Sequence, residues 1–357
     1  NMKVRRYNWA PLYLLVLIRL LKRDLDQKPI SATRQALMLG ILFAVTMYSH
    51  PYYAIQLVLA SLVIFSVWYI KRRTIPGTKV LVTFVIAGLI TGLLVMPMFY
   101  PMKQHAHEYS TDVSKNENYI RSFSADLVAY IVPSPYHPVW GKKVRSEMFH
   151  DNGLVGGVNE GALNLTVTLF LLGSIAFFRQ RKLGYWKVLI LLSLFLSLGP
   201  QLIISGNQTG INLPYFTLQR IPFISFSRVP ARFGHLVLIG FCILGAAQLS
   251  DFLKKTRNPR WLFCSIQLLL LFELSFFPMS AEQLNVPSTV HALAQCDDSD
   301  PVFVFNCNIA RPMYFQTIHH HPINGGYIAR VSDDDQARQT NSLSRIAYQH
   351  YLKNDDI

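Results

Sequence analysis

Residues 35–70, QALMLGILFAVTMYSHPYYAIQLVLASLVIFSVWYI, form a nearly unbroken apolar run whose reading decides the fold. As one helix it would be roughly 50 Å long at about 1.5 Å per residue, against a bilayer hydrocarbon core of about 30 Å. Two membrane-length helices, 35–49 and 52–70, with a turn at Ser49-His50-Pro51 fit instead. Working outward, further candidate spans lie at 9–21, 80–99, 161–178, 187–200, 232–252 and 261–277. The first is short and contains Arg19, which can snorkel from a helix end to the headgroups.

Composition agrees with the bilayer as solvent. The 357-residue chain is 51% hydrophobic and 15% charged, where soluble domains carry about a quarter charged residues. Disordered, collagen-like and coiled-coil chains are excluded. A net charge of +14 in a soluble protein would point to nucleic acid. Here the cations stand between the apolar runs, so the charge is read as topological and no nucleic-acid partner is expected. The basic connections are Lys22, Arg23, Lys28 and Arg34; Lys71, Arg72, Arg73 and Lys79; Arg179, Arg181, Lys182 and Lys187; and Lys254, Lys255, Arg257 and Arg260. Each is a cytoplasmic signal under the positive-inside rule, and two candidate spans fall in every interval between them.

The expected fold is therefore an all-α polytopic transmembrane helix bundle of about eight spans, residues 1–280, with outer loops at 100–160 and 201–231. After it, 281–357 is expected to be a small extracytoplasmic α/β domain. In that domain Pro301-Val302-Phe303-Val304-Phe305 reads as a strand, Asn324-Gly325-Gly326 as a turn and 333–352 as a helix. The opening at Asn1 and the stop at Asp355-Asp356-Ile357 lead us to expect a fragment, lacking its N-terminal part and truncated in the C-terminal domain.

Standard chemical signatures are missing: no Gly-x-x-x-x-Gly-Lys loop, no His-Glu-x-x-His and no Gly-x-Ser-x-Gly. Gly153, Gly156 and Gly157 suit turns better than a nucleotide cradle. His319, His320 and His321 form a histidine run, but adjacent residues of an extended segment point to opposite faces, so no metal site is expected. The most informative constellation is Ser227-Arg228-Val229-Pro230-Ala231-Arg232-Phe233. Arg228 and Arg232, four residues apart at a helix start, can face one anion, and guanidinium forks bind phosphate oxygens bidentately. Anchoring to lipid headgroups explains the pair equally well. In the long outer loop Asp126 and Glu160 lie nearest apolar segments, where carboxylate pKa values shift, and are weak candidates for a general base. His50, Tyr52 and Tyr53 cluster at an outer helix turn, as a substrate contact or as part of an aromatic belt.

Several of these stretches together resemble a known family. They are Trp9-Ala10-Pro11-Leu12, Ser124-Ala125-Asp126-Leu127 with Pro133-Ser134 and His137-Pro138, Arg228-Val229-Pro230-Ala231-Arg232-Phe233, Tyr314-Phe315-Gln316-Thr317-Ile318-His319, His321-Pro322, and Gly326-Tyr327-Ile328-Ala329-Arg330. They are similar to large polytopic bacterial proteins related to the C-type (GT-C) membrane glycosyltransferases. The resemblance implies a multi-pass protein of the bacterial cytoplasmic membrane. It also implies a polyprenyl-phosphate-linked sugar donor and transfer outside the cytoplasm without a nucleotide site. In that family the catalytic acid usually lies in a first outer loop near the N-terminus, and this chain is expected to begin after it. The expected partners are membrane lipids and the lipid-linked sugar. No cofactor is indicated, and a divalent metal is optional. Arg228, Arg232, His50 and Tyr53 are the expected substrate-binding residues. The competing expectation is a non-catalytic transporter or assembly factor for lipid-linked saccharide. Apart from Arg19 and Glu273, the predicted spans carry few of the ionisable groups that transport pathways bury.

Overall fold

The computed structural model describes residues 9–25, 31–73, 76–104, 120–121, 123–134, 136–148, 163–218, 229–275, 285–296, 302 and 310–323. The chain forms two compact units, residues 1–99 with 113–279 and residues 100–112 with 280–357. The expected outer loop 100–160 is thus divided between them.

In the first unit, α1 (Trp9–Leu25), α2 (Ala32–Ser49), α3 (Pro51–Arg72), α4 (Thr78–Gln104), α5 (Gly141–Met148), α6 (Val167–Arg179), α7 (Gly184–Ser197), α8 (Gly234–Lys255) and α9 (Pro259–Glu273) follow in order, α4 ending beyond the unit's limit at residue 99. Each apolar stretch singled out above contains a helix, although 163–166, 198–200 and 274–275 are not helical and 161–162 and 276–277 lie outside the described residues. Among the described residues, three helices are long and apolar enough to cross a membrane: Pro51–Arg72, Thr78–Tyr100 and Pro230–Lys255. They mark the chain as a membrane protein. The 13 residues of α6, 14 of α7 and 15 of α9 are too few for a core of about 30 Å at about 1.5 Å per residue.

The turn between α2 and α3 falls where the sequence puts it. His50 is extended (φ −168°, ψ 109°), its N–H donates to the Thr46 carbonyl, and Pro51 occupies the first turn of α3, where a missing N–H costs no helical bond. The core begins with α1, whose Ala10, Tyr13, Leu14, Leu17, Leu20 and Leu21 are buried on one helical stripe. Helix α8 packs on α6 and α7. A Cβ at Gly173 would overlap the Phe241 ring, and one at Gly240 would overlap Ile190. Absent side chains let these backbones approach, as small residues do at membrane helix crossings.

Contacts sort the helix ends of this unit into two groups. At the basic end, the Gly77 N–H donates to Asp24 (3.2 Å), a Cβ on Gly184 would lie 3.0 Å from the Lys71 ammonium, and the Gln180 amide donates to Asp251. At the opposite end, residues 123–131 stitch the elements together. Ala125 N–H donates to the Ser197 carbonyl (2.8 Å), Leu127 N–H to Ile203 (3.0 Å), Leu165 N–H to Tyr130 (3.1 Å) and Ala231 N–H to Phe123 (3.0 Å). The same end holds a hairpin absent from the expectations: β1 (Gln201–Ile204) pairs antiparallel with β2 (Asn207–Asn212) across Ser205 and Gly206, both at positive φ (50° and 78°).

In the second unit, α10 (Ser288–Leu293) packs with α11 (Ala310–His319), and Val302 forms a parallel bridge with Ile323. Of the expected strand 301–305 only Val302 is described, in this isolated bridge, and residue 301 is outside the described residues. Residues 303–305, the turn at 324–326 and the helix at 333–352 lie outside the described residues.

Candidate functional site

Arg232 stands in a 3-10 turn, Pro230–Phe233, that leads into α8. Two side chains converge on its carbonyl: Gln56 Nε2 donates at 2.8 Å and His235 Nδ1 at 2.7 Å. Because a carbonyl only accepts, His235 carries a proton on Nδ1. With its backbone pinned from α3 and α8, Arg232 places its guanidinium 4.6 Å from the centre of the Tyr52 ring, a cation–π contact. The His50 ring lies 5.3 Å from Tyr52 and 4.7 Å from Tyr53, and Tyr53 meets the edge of His235 at 5.4 Å. Tyr215, from the single helical turn Tyr215–Leu218, closes the cluster. Burial, with Tyr52 nearby as the second cause, pushes its phenol well above the ordinary value. The result is a guanidinium against the Tyr52 ring, with the linked His50, Tyr53 and His235 rings continuing the cluster, at the end of the unit opposite the basic connections. Such a setting favours an anion with a planar, multi-oxygen face.

The residues 123–131 hold this turn in place. Ser124 is fully buried and fits against Gly199, whose φ of +74° lies in the left-handed region and where a Cβ would overlap Ser124 Oγ. The Ser197 hydroxyl donates to the Leu194 carbonyl and so accepts from the buried Tyr130 phenol. Burial raises the Tyr130 pKa above its ordinary value, and this hydrogen bond partly offsets the rise.

Asp126 is 1% exposed, and its carboxylate accepts backbone N–H bonds from Val128 (2.8 Å), Ser205 (3.1 Å) and Gly206 (2.7 Å). Those bonds latch the hairpin turn to the loop, and the carboxylate acts as a clasp here. Glu160 and Arg228 lie outside the described residues. His50, Tyr53 and Arg232 are brought together.

Two other polar residues noted in the sequence serve as ties. His137 Nδ1 accepts from the N–H groups of Val139 (3.1 Å) and Trp140 (3.3 Å), while Nε2 donates to the Phe272 carbonyl (3.0 Å). Glu273 approaches the Thr168 N–H with both oxygens at 3.2 Å, supplementing the Thr166 cap at the start of α6. The His319 and His321 rings are 5.6 Å apart, but His319 Nδ1 accepts the His321 N–H (3.0 Å) and His321 Nε2 donates to the Leu293 carbonyl (2.9 Å). Among the described residues, no group of three His, Cys, Asp or Glu side chains is arranged to hold a metal ion.

Sequence reading missed Gln56, His235 and Tyr215. For the first two a signal exists: Gln56 is three residues after Tyr53 and His235 three after Arg232, so each shares a helical face with a residue already singled out. Tyr215 carries no local signal, since only the tertiary fold brings it to Tyr52. Comparison with family models, curated proteins and solved structures returns no match for this chain.

Proposed function

We propose that the chain is part of a multi-pass, GT-C-like membrane glycosyltransferase that moves a sugar from a polyprenyl-phosphate carrier to an acceptor outside the cytoplasm. All eight apolar helices are taken as spans of the bacterial cytoplasmic membrane, the bilayer thinning locally around the short α6, α7 and α9, with the basic end inside under the positive-inside rule. The Arg232 end then faces outward, where a lipid-linked donor presents its phosphate at the headgroup level. The observation that carries the reading is the Arg232 guanidinium, 4.6 Å from the centre of the Tyr52 ring, on a backbone held by two hydrogen bonds to its carbonyl.

In such a transfer the bond from the sugar's anomeric carbon to the phosphate oxygen breaks as the acceptor oxygen attacks, and negative charge grows on the lipid phosphate. A fixed cation in an aromatic surround stabilises that charge more than water-exposed lysine would. Removal of the proton from the acceptor needs a base. Asp126 is engaged by three backbone N–H groups and is not given that role. The same observation favours the second reading, a transporter or assembly factor that holds the donor without cleaving it.

The test is binding of a polyprenyl-phosphate sugar to the full chain in nanodiscs, with thermal stability checked for each variant. Loss of a charge-assisted contact is worth about 1.5–3 kcal/mol, so Arg232→Ala should weaken the donor about ten- to a hundredfold. Arg232→Lys keeps the charge, loses the fork and should fall between. A folded Arg232→Ala variant with parental affinity would show that the arginine is a headgroup anchor. Release of free polyprenyl phosphate on adding acceptor separates transfer from mere binding.

A further inference from the structure

At the basic end of the first unit, cations from α3, α6, the following 3-10 turn and α7 outnumber the carboxylates among the described residues, where Asp251 accepts from Gln180 and pairs with Lys254. Lys71 and Arg72 close α3, and Arg73 caps it in the left-handed conformation (φ 56°). Arg179 ends α6, Arg181 and Lys182 form the 3-10 turn that follows, and Lys187 stands in the first turn of α7. Chain connectivity keeps the last four together. The approach of the Lys71 ammonium to Gly184, 3.0 Å from where a Cβ would stand, brings the α3 group to them. Lys187 leans over the Phe177 ring at 5.4 Å. Apart from Lys187, every one of these side chains is exposed. Among the described residues the one recorded ion pair is Lys254 with Asp251 (3.8 Å), at the end of α8.

The seven cations around this corner repel one another, the positive start of α7 adds to the field, and the negative C-terminal ends of α3 and α6 offset only part of it. Sites of this kind between membrane helices recruit phosphorylated headgroups. A lipid surface fits better than a soluble anion because the corner continues into apolar helix faces. Tyr69 and Ile70 are exposed immediately before Lys71, and Phe178 is 81% exposed immediately before Arg179. A bound lipid can therefore place its phosphate among the cations and its acyl chains along these side chains.

We infer that the corner formed by the end of α3 and the α6–α7 turn is a binding site for an anionic phospholipid headgroup. The test uses the full chain in a neutral detergent, titrated with phosphatidylglycerol and, separately, phosphatidylcholine, with retained lipid counted by native mass spectrometry. The parent should retain phosphatidylglycerol in preference to phosphatidylcholine. The triple variant Lys71→Gln, Arg181→Gln, Lys182→Gln should bind phosphatidylglycerol at least about tenfold more weakly, since each cation near an anionic headgroup contributes several-fold. The triple Lys255→Gln, Arg257→Gln, Arg260→Gln removes the same formal charge from the α8–α9 connection, leaves Lys254 on Asp251 beside Gln180, and should change affinity by less than about twofold. A charge-preserving triple, Lys71→Arg, Arg181→Lys, Lys182→Arg, should bind like the parent, which separates loss of the site from loss of folding. Equal losses in the two glutamine triples, or no lipid preference in the parent, would overturn the site. Displacement of phosphatidylglycerol by inorganic phosphate at equal concentration would overturn the lipid as its occupant.

Discussion

His319 gives the segment around it a pH dependence. It is 5% exposed, and its Nδ1 must be unprotonated to accept the His321 N–H. Burial first, and the neighbouring His321 and His320 imidazoles second, hold its pKa below the ordinary value of about 6.5. The unfolded chain therefore binds this proton more readily than the folded one. The stabilisation is complete above about pH 6.5 and is lost as pH falls through the lower, folded value. Amide hydrogen exchange in residues 310–323 of the full chain should accelerate as pH drops below about 6.5, after correction for intrinsic rates, and His319→Gln should abolish that dependence. A pH-independent corrected rate in the parent would contradict the assignment.

At the scale of elements, the hairpin β1–β2 depends on one carboxylate from a distant loop. Asp126→Ala leaves the Val128, Ser205 and Gly206 N–H groups without their shared acceptor. With hydrogen bonds to a buried charge worth about 1.5–3 kcal/mol, the variant should lose stability on that order and its segment 201–212 should become sensitive to protease. A parental melting temperature with an intact hairpin would contradict the clasp. The helices were legible because burial in lipid or core demands long apolar runs, and 35–70 even revealed its own turn through Pro51. The hairpin was not, because Gln201–Ile204 and Asn207–Asn212 lack a repeating apolar alternation, and β2 is exposed throughout. Its one local mark is the Ser205-Gly206 turn. Likewise Arg232, His50 and Tyr53 could be picked out as residues with chemistry at helix ends. That α3 and α8 bring them together is a tertiary fact no local spacing contains. Asp126 stood out for its position beside apolar sequence, but the same burial made it a backbone acceptor.

For the whole molecule, the account rests on polarity between two ends: cations on the connections at one, and the Arg232, His50 and Tyr52 cluster at the other. Apolar helices of alternating direction separate them, and the two ends acquire different functions only if a membrane lies between. Reporter fusions test this most directly: after Lys71, Arg181 and Lys255 for the basic end, and within the hairpin at Gly206 for the Arg232 end, all in the full chain expressed in bacterial cells. The account predicts cytoplasmic signals from the first three and an exterior signal from Gly206. A cytoplasmic signal at Gly206, or an exterior one at any of the three basic positions, would contradict it.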